Sequence, residues 1–346
     1  MEPRKVQKVG YSTLSISLPT DWVKKTGIQK GDLVFISEEK DRSLKLTVEP
    51  AKSEEQNVYI VNVDRCDNVK ILERIIVANY VLGRNIIKVE SSRRLMREEI
   101  ESIRNVAQRL LGLGIIEESD YHLILQCSID PKSFPLPTVL RRLYMITSIM
   151  FKETVDAIID EDVELAKDAL IREPEADTIY WLLTRLLASA QESNAVAEEI
   201  GVKEPLILIQ KNIIAVFLEM IGDRILQIVN KIIELNDKKI INNALMDRLS
   251  QIGLMTLTMF DKAINSVFEG DVKVASDVVD MRDLVEKEEN NLERYFHGKA
   301  DMDSISIISS IAWNLKHISE LSAAIAEIAI DKVLMDNNEI CSIMKN

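Results

Sequence analysis

Residues 205–235 read PLILIQKNIIAVFLEMIGDRILQIVNKIIEL. With a helical step of about 100° per residue, Asn212, Glu219, Asp223, Asn230 and Glu234 fall on one narrow stripe, and nearly every other position is apolar. A helix with so thin a polar edge is buried on most of its sides, so this stretch predicts a helix inside a larger helical assembly. The composition agrees. The 346 residues are too many for one core, and only 11 Gly, 8 Pro and 5% aromatics argue for long helices and against a sandwich or propeller. Hydrophobic residues at 47% and charged residues at 29% are the balance of a globular chain, not a disordered one.

Working outward, the helical pattern runs from Thr138 almost to the end of the chain. Turns are expected near Asp160–Asp162, Ala197–Pro205, Asn236–Lys239, Gly270–Asp271 and Gly298–Asp303, giving about six helices. The pattern repeats. Met150-Phe151, Asp162-Val163, Ala166 and Asp168 recur 109 residues later as Met259-Phe260, Asp271-Val272, Ala275 and Asp277. Several identities in one register point to two tandem three-helix halves, 138–236 and 240–335.

Two smaller regions precede this body. Residues 1–50 read as β structure, with strands at Thr13–Leu18, Leu33–Ile36 and Leu44–Val48, a short helix around Asp21–Lys25, and a turn at Gly31-Asp32. A polar linker follows at 50–57. Residues 57–130 alternate in type: strand at Val58–Val63, helix at Asn68–Leu82, strand at Ile86–Val89, helix at Leu95–Leu113 and strand at Tyr121–Cys127. This is a small α/β domain, with Pro131, Pro135 and Pro137 marking its exit. The expected fold is thus multidomain and mainly α.

The charge is uneven. The whole chain carries −13, the profile of a protein that does not coat nucleic acid. The first 50 residues hold nine Lys and Arg against seven Asp and Glu, a net +2, so the remaining 296 carry −15. Cys66, Cys127 and Cys341 are too scattered for a disulfide framework or a zinc motif. The start MEPRKVQKVG lacks the apolar run of a secretory signal. No apolar stretch is expected to span a bilayer, the longest being cut by Glu219 and Asp223. These readings make a cytoplasmic protein without membrane insertion the expectation.

The body's acids are the candidate chemistry. Glu173 and Asp177 are four apart, as are Glu219 and Asp223, which places each pair on one helix face. Should the two helices face each other, four carboxylates converge, and they cannot all stay ionised without a cation. Oxygen ligands with no nearby His or Cys suit a hard divalent or trivalent metal: iron, manganese, magnesium or calcium. The alternative is a solvated helix edge carrying ordinary surface acids.

The segment Leu218-Glu219-Met220-Ile221-Gly222-Asp223-Arg224 resembles the LERIGD signature of PhoU domains, regulators of phosphate uptake. Arg172-Glu173-Pro174-Glu175-Ala176-Asp177-Thr178-Ile179-Tyr180-Trp181 is similar to the family's RDEEVDxLYW segment. The resemblance covers about 138–335 and implies two tandem three-helix bundles whose E/DxxxD pairs bind metal, so Glu173, Asp177, Glu219 and Asp223 would be ligands. Pro174 interrupts a segment that the family runs as continuous helix, which would displace Glu173 from the face of Asp177. In the second half Arg282 takes the place of Glu173 and Glu286 that of Asp177, with Asp283 one place off. Within Trp313-Asn314-Leu315-Lys316-His317-Ile318-Ser319-Glu320, Lys316 replaces the acid and Glu320 takes the Asp position. Asp283, Glu286 and Glu320 are therefore weaker candidate ligands, and Lys316 would repel a cation or substitute for one.

The head has a resemblance of its own. Arg4-Lys5-Val6-Gln7, Ser12-Thr13, Ser17-Leu18-Pro19, Trp22, Gly27 and Gly31-Asp32 look like the AbrB/MazE/SpoVT family of swapped-hairpin DNA-binding domains, in the form found at the front of archaeal PhoU proteins. Such domains dimerise by interleaving hairpins, since about 45 residues cannot bury a core alone. Arg4, Lys5, Lys8, Lys24 and Lys25 would then contact DNA phosphates across a homodimer built through residues 1–50. The alternative is solubilising charge on a module that only dimerises.

Elsewhere, His122 and Cys127 face opposite sides of one strand. His297 and His317 belong to the helical body, and no Ser/His/Asp arrangement is expected. Gly112-Leu113-Gly114 ends a helix instead of opening one, so it is not a nucleotide loop. Residues 57–130 resemble the α/β linker domain of archaeal PhoU proteins and suggest no chemistry. The expected function is a non-enzymatic regulator of phosphate uptake that contacts the phosphate ABC transporter ATPase or a phosphate-signalling protein, with DNA binding at its head. A metal-dependent hydrolase using the bundle carboxylates, or a scaffold whose head only dimerises, are the other readings.

Overall fold

The chain divides after Asn57 into two units. The computed structural model describes residues 3–38, 43–48, 58–202, 204–238, 243–295, 302–335 and 340–341. The expected linker at 50–57, most of the turn at 298–303, and His297 lie outside the described residues.

The first unit is two antiparallel hairpins around a short helix. β1 (Gln7–Val9) pairs with β2 (Thr13–Ser15), and β3 (Phe35–Glu38) pairs with β4 (Leu44–Thr47). β1 was not expected, because Gln7-Lys8-Val9 is too short and polar to alternate. Helix α1 (Thr20–Thr26) ends at Gly27, whose φ of 70° is the left-handed cap that favours glycine. The turn into β3 is tied by Asp32, whose side chain accepts the Gln29 N–H at 2.7 Å. None of the described residues of this unit is buried. Val6, Leu14, Ile36 and Leu33 stand exposed, the last by 76%.

The second unit begins with the α/β domain. Its elements are β5 (Val58–Asn62), α2 (Val69–Val81), β6 (Ile86–Glu90), α3 (Arg97–Arg109), β7 (Leu113–Glu118) and β8 (His122–Cys127). The sheet order is β5-β6-β8-β7, with β5 and β6 parallel and the other two pairings antiparallel. The expected helix through Leu113 is corrected here. α3 stops at Arg109, Gly112 turns the chain at φ 73°, and Leu113-Gly114-Ile115-Ile116 opens a strand. Strand alternation places Leu123, Leu125 and Cys127 in the core and His122 on the opposite face.

The helical body comprises α4 (Leu136–Asp160), α5 (Val163–Glu192), the short α6 (Asn194–Glu199), α7 (Pro205–Asp237), α8 (Asn243–Glu269), α9 (Val272–Tyr295) and α10 (Met302–Leu334). The 109-residue register is structural. Asp162 and Asp271 both cap the helix that follows them, each accepting two backbone N–H groups. Glu161 and Gly270 both hold positive φ, 54° and 73°; Glu161 is the only non-glycine to do so among the described residues. Phe151 and Phe260, fully buried, meet edge-to-face at 6.0 Å where α4 crosses α8. One continuous apolar core therefore runs through both halves.

Two expectations about helices change. α5 continues through Pro174, so Glu173 and Asp177 stay on one helix. α7 is long and apolar enough in composition to cross a membrane, contrary to the sequence expectation. Its apolar residues, Ile214, Leu218, Ile221 and Ile225 among them, are instead buried in the core shared with α4, α5 and α10.

The α/β domain docks on α5. Arg185 is buried and donates to the carbonyls of Tyr80, Gly83 and Arg84 and to Asn85 Oδ1, at 2.6–3.2 Å. A guanidinium thus satisfies the carbonyl end of α2, where the helix dipole favours a cation. One turn earlier Trp181 packs on the α/β core, and Thr178 donates to the Arg109 carbonyl at 3.0 Å.

Candidate functional site

Helices α5 and α7 pack side by side, so the two i, i+4 carboxylate pairs share one face of the first half. Glu219 is the most perturbed. Burial pushes its carboxyl up to about 8, and Asp177, Asp223 and Glu173 add repulsion in that order. Burial also raises Glu173, with Asp177 and Asp223 contributing and Arg109 opposing. Asp177 is raised chiefly by burial, again against Arg109. Tyr180, one turn past Asp177, is raised by burial and by Glu219. The Arg109 that moderates this face comes from the α/β domain, held there by its carbonyl's bond to Thr178.

This all-oxygen, mutually repelling set has the chemistry that a hard cation satisfies. Among the described residues, no three Asp, Glu, His or Cys side chains gather closely enough to hold a metal ion. The fit is therefore one of donor type and charge, not of a closed coordination shell.

The second half arranges the equivalent positions differently. Arg282, Asp283, Glu286, Lys316 and Glu320 line a cleft of about 300 Å³. Lys316 Nζ lies 3.3 Å from Glu286 and 3.6 Å from Glu289, whose side chain is buried. Burial disfavours the Lys316 charge, yet Glu286, Glu289 and Glu320 outweigh it and hold its pKa above the ordinary value. Glu289 takes the place of Tyr180 in the 109-residue register, so an acid was added where a cation replaced one. Asp283 sits 3.5 Å from Arg282 and Glu320 sits 3.4 Å from His317, which stacks on Trp313. Each of the three weaker candidates thus has a basic neighbour.

The structure also forms a Ser-His-Glu line that the sequence reading did not expect. Ser119 Oγ lies 2.8 Å from His122 Nδ1, and His122 Nε2 lies 2.8 Å from Glu117. Its members come from one hairpin and meet across the β7–β8 turn, so strand spacing alone could not signal them. The Ser119 oxygen already accepts the N–H groups of Tyr121 and His122, at 3.2 and 3.1 Å. With its lone pairs so engaged it is a turn lock, not an activated nucleophile.

In the head, Arg4, Lys5, Lys8, Lys24 and Lys25 are all exposed. The first three lie on or beside β1, and the last two end α1.

The Glu219 shift predicts a pH effect in the chelated protein. Unfolded Glu219 ionises near 4.5 and the folded one near 8, so between these values the folded state holds the extra proton and stability falls as pH rises. Glu219→Gln has no such proton. The melting temperature of the variant minus that of the native chain should climb from pH 5 to pH 8 and level off above. A constant difference across that range would contradict the burial of this acid.

A family model described as "PhoU domain" matches residues 140–232 and 249–329, together half of the chain. A second, "Antidote-toxin recognition MazE, bacterial antitoxin", matches residues 7–56. No curated protein matches the chain. Among solved structures, the phosphate transport system regulatory protein PhoU from Streptococcus pneumoniae is similar at 14% identity and a TM-score of 0.49, over 56% of this chain and 91% of that one. The two PhoU segments begin 109 residues apart, the offset at which Phe151 and Phe260 face each other. The chain belongs to the PhoU domain family.

Proposed function

We propose that this protein is a cytoplasmic, non-enzymatic regulator of phosphate uptake whose first helical half is organised by a bound metal. The observation that carries the reading is the carboxylate face of Glu173, Asp177, Glu219 and Asp223: among the described residues Arg109 opposes the upward shifts of Glu173 and Asp177, and no basic group opposes that of Glu219. Iron, manganese, magnesium or calcium would supply positive charge there. Carboxylates of this face would have to draw together around it, and Glu219 would give up its proton on binding. Among the described histidines, His122 lies in the β7–β8 hairpin and His317 beside Glu320. Neither makes a hydrogen bond or ion pair with Glu173, Asp177, Glu219 or Asp223 among the described residues.

The partner in this reading is the phosphate ABC transporter ATPase or a phosphate-signalling protein. Tagged native chain and Glu219→Ala should be used as bait in extracts of phosphate-replete and phosphate-starved cells. The native bait should retain the transporter ATPase or a phosphate-signalling protein in a phosphate-dependent way, and the variant should retain several-fold less. Recovery of neither by the native bait, or equal recovery with both baits in both conditions, would contradict the reading.

The head would form a homodimer, because its apolar residues have no core of their own to enter. Arg4, Lys5, Lys8, Lys24 and Lys25, doubled by the dimer, would then contact DNA phosphates. Affinity of the full chain for duplex promoter DNA should fall steeply with salt, with a log–log slope of about −0.9 per phosphate contacted. Lys24→Ala with Lys25→Ala should flatten that slope. Absence of salt-dependent binding would leave the head as a dimerisation module only.

A further inference from the structure

Lys211 lies on α7, the helix long and apolar enough in composition to cross a membrane, and the carboxylate face does not explain it. It is only 7% exposed. It makes no hydrogen bond or ion pair among the described residues. Its neighbours are Phe268, whose ring centre is 6.0 Å from the Lys211 ammonium, and a second cation, Lys332. Lys332 donates to the Val267 carbonyl at 3.0 Å, satisfying part of the C-terminal end of α8. Arg141 places its guanidinium 4.2 Å from the centre of the same Phe268 ring.

Each of these four residues comes from a different helix: Arg141 from α4, Lys211 from α7, Phe268 from α8 and Lys332 from α10. The first two helices belong to one half and the others to the second, so the cluster sits where the two halves join. The seam does contain a carboxylate. Asp261, two turns back along α8, accepts from Tyr144 at 3.1 Å and Ser148 at 3.0 Å. Among the described residues it makes no ion pair with any of the three cations.

Three positive groups gather about the Phe268 ring and the adjoining Val267 carbonyl, one of them nearly removed from water, and among the described residues none of them makes an ion pair. Burial, with Lys332 adding to it, lowers Lys211 to about 8, which still leaves the amine mostly protonated at neutral pH. An ammonium in this position is stabilised by an anion with several acceptor oxygens. We propose that Arg141, Lys211 and Lys332 form a binding site for a small inorganic oxyanion, of the phosphate or sulfate class, at the junction of the two halves. An anion held there would be bonded from both halves at once and would tie them together. The site is independent of the metal, since none of its members touches the carboxylate face.

The test is calorimetric titration of the full chain, in chelator and at constant ionic strength, with inorganic phosphate and separately with sulfate. Native protein should bind at least one of the two saturably, and bound anion should raise its melting temperature. Lys211→Met keeps the size and burial of the side chain while removing the charge, so it should fold normally and bind at least tenfold more weakly. Lys332→Met should weaken binding independently. Binding of phosphate alone would assign phosphate, and binding of both would assign the oxyanion class. No saturable binding of either anion, or equal affinity in native and Lys211→Met proteins, would overturn the proposal.

Discussion

Each three-helix half has one apolar face more than it can cover, and the two halves cover it for each other. The edge-to-face contact of Phe151 with Phe260 lies at the centre of that arrangement. Because both residues occupy the same register position, the halves meet through equivalent surfaces, and their cores fuse into one. This constraint dictates where polar chemistry can sit. The polar groups of the shared seam are few: Asp261 with Tyr144 and Ser148, and the cations Arg141, Lys211 and Lys332. Within the carboxylate pairs of α5 and α7, Glu173 and Asp177 lie within reach of Arg109 of the docked α/β domain.

The same scaffold then carries two opposite charge arrangements. In the first half four acids crowd a partly buried face, where Asp177 and Asp223 raise the proton affinity of Glu173 and these three raise that of Glu219. In the second half Lys316 sits at the equivalent of Glu219 and neutralises Glu286 and Glu289 from within. A buried acid without a partner favours a proton or a cation, whereas an acid paired with lysine needs neither. The halves differ at Glu173/Arg282, Tyr180/Glu289 and Glu219/Lys316, and among the described residues Glu286 and Glu289 have Lys316 as an ion-pair partner whereas Glu173, Asp177, Glu219 and Asp223 have none.

Much of this was legible in the sequence because it depends on periodicity and capping. The 109-residue register rests on Phe151/Phe260 and on Asp162/Asp271, which recur because each fills the same packing or capping role. The carboxylate pairs were legible from four-residue spacing, and Lys316 from its place in the signature. What stayed hidden depends on partners distant in the chain. Arg185 looks like any arginine in an apolar helix until α2 presents its carbonyl end. Arg109 gains its role only when α3 lies against Thr178. Lys211 looks like a routine charge near a helix start, and only packing shows that it makes no ion pair with a carboxylate among the described residues. β7 was lost to the preceding helix because no proline separates them and Gly112 alone makes the break.

The central claim is that an external cation is needed by the first half and not by the second. Calorimetric titration of the chelated full chain with manganese at pH 7.5 tests it most directly. The account predicts saturable binding that is lost in both Glu219→Ala and Asp223→Ala and kept when Glu286 and Glu320 are replaced together by alanine. Binding that survives the first two substitutions but disappears with the last would place the metal on the wrong half and contradict the account.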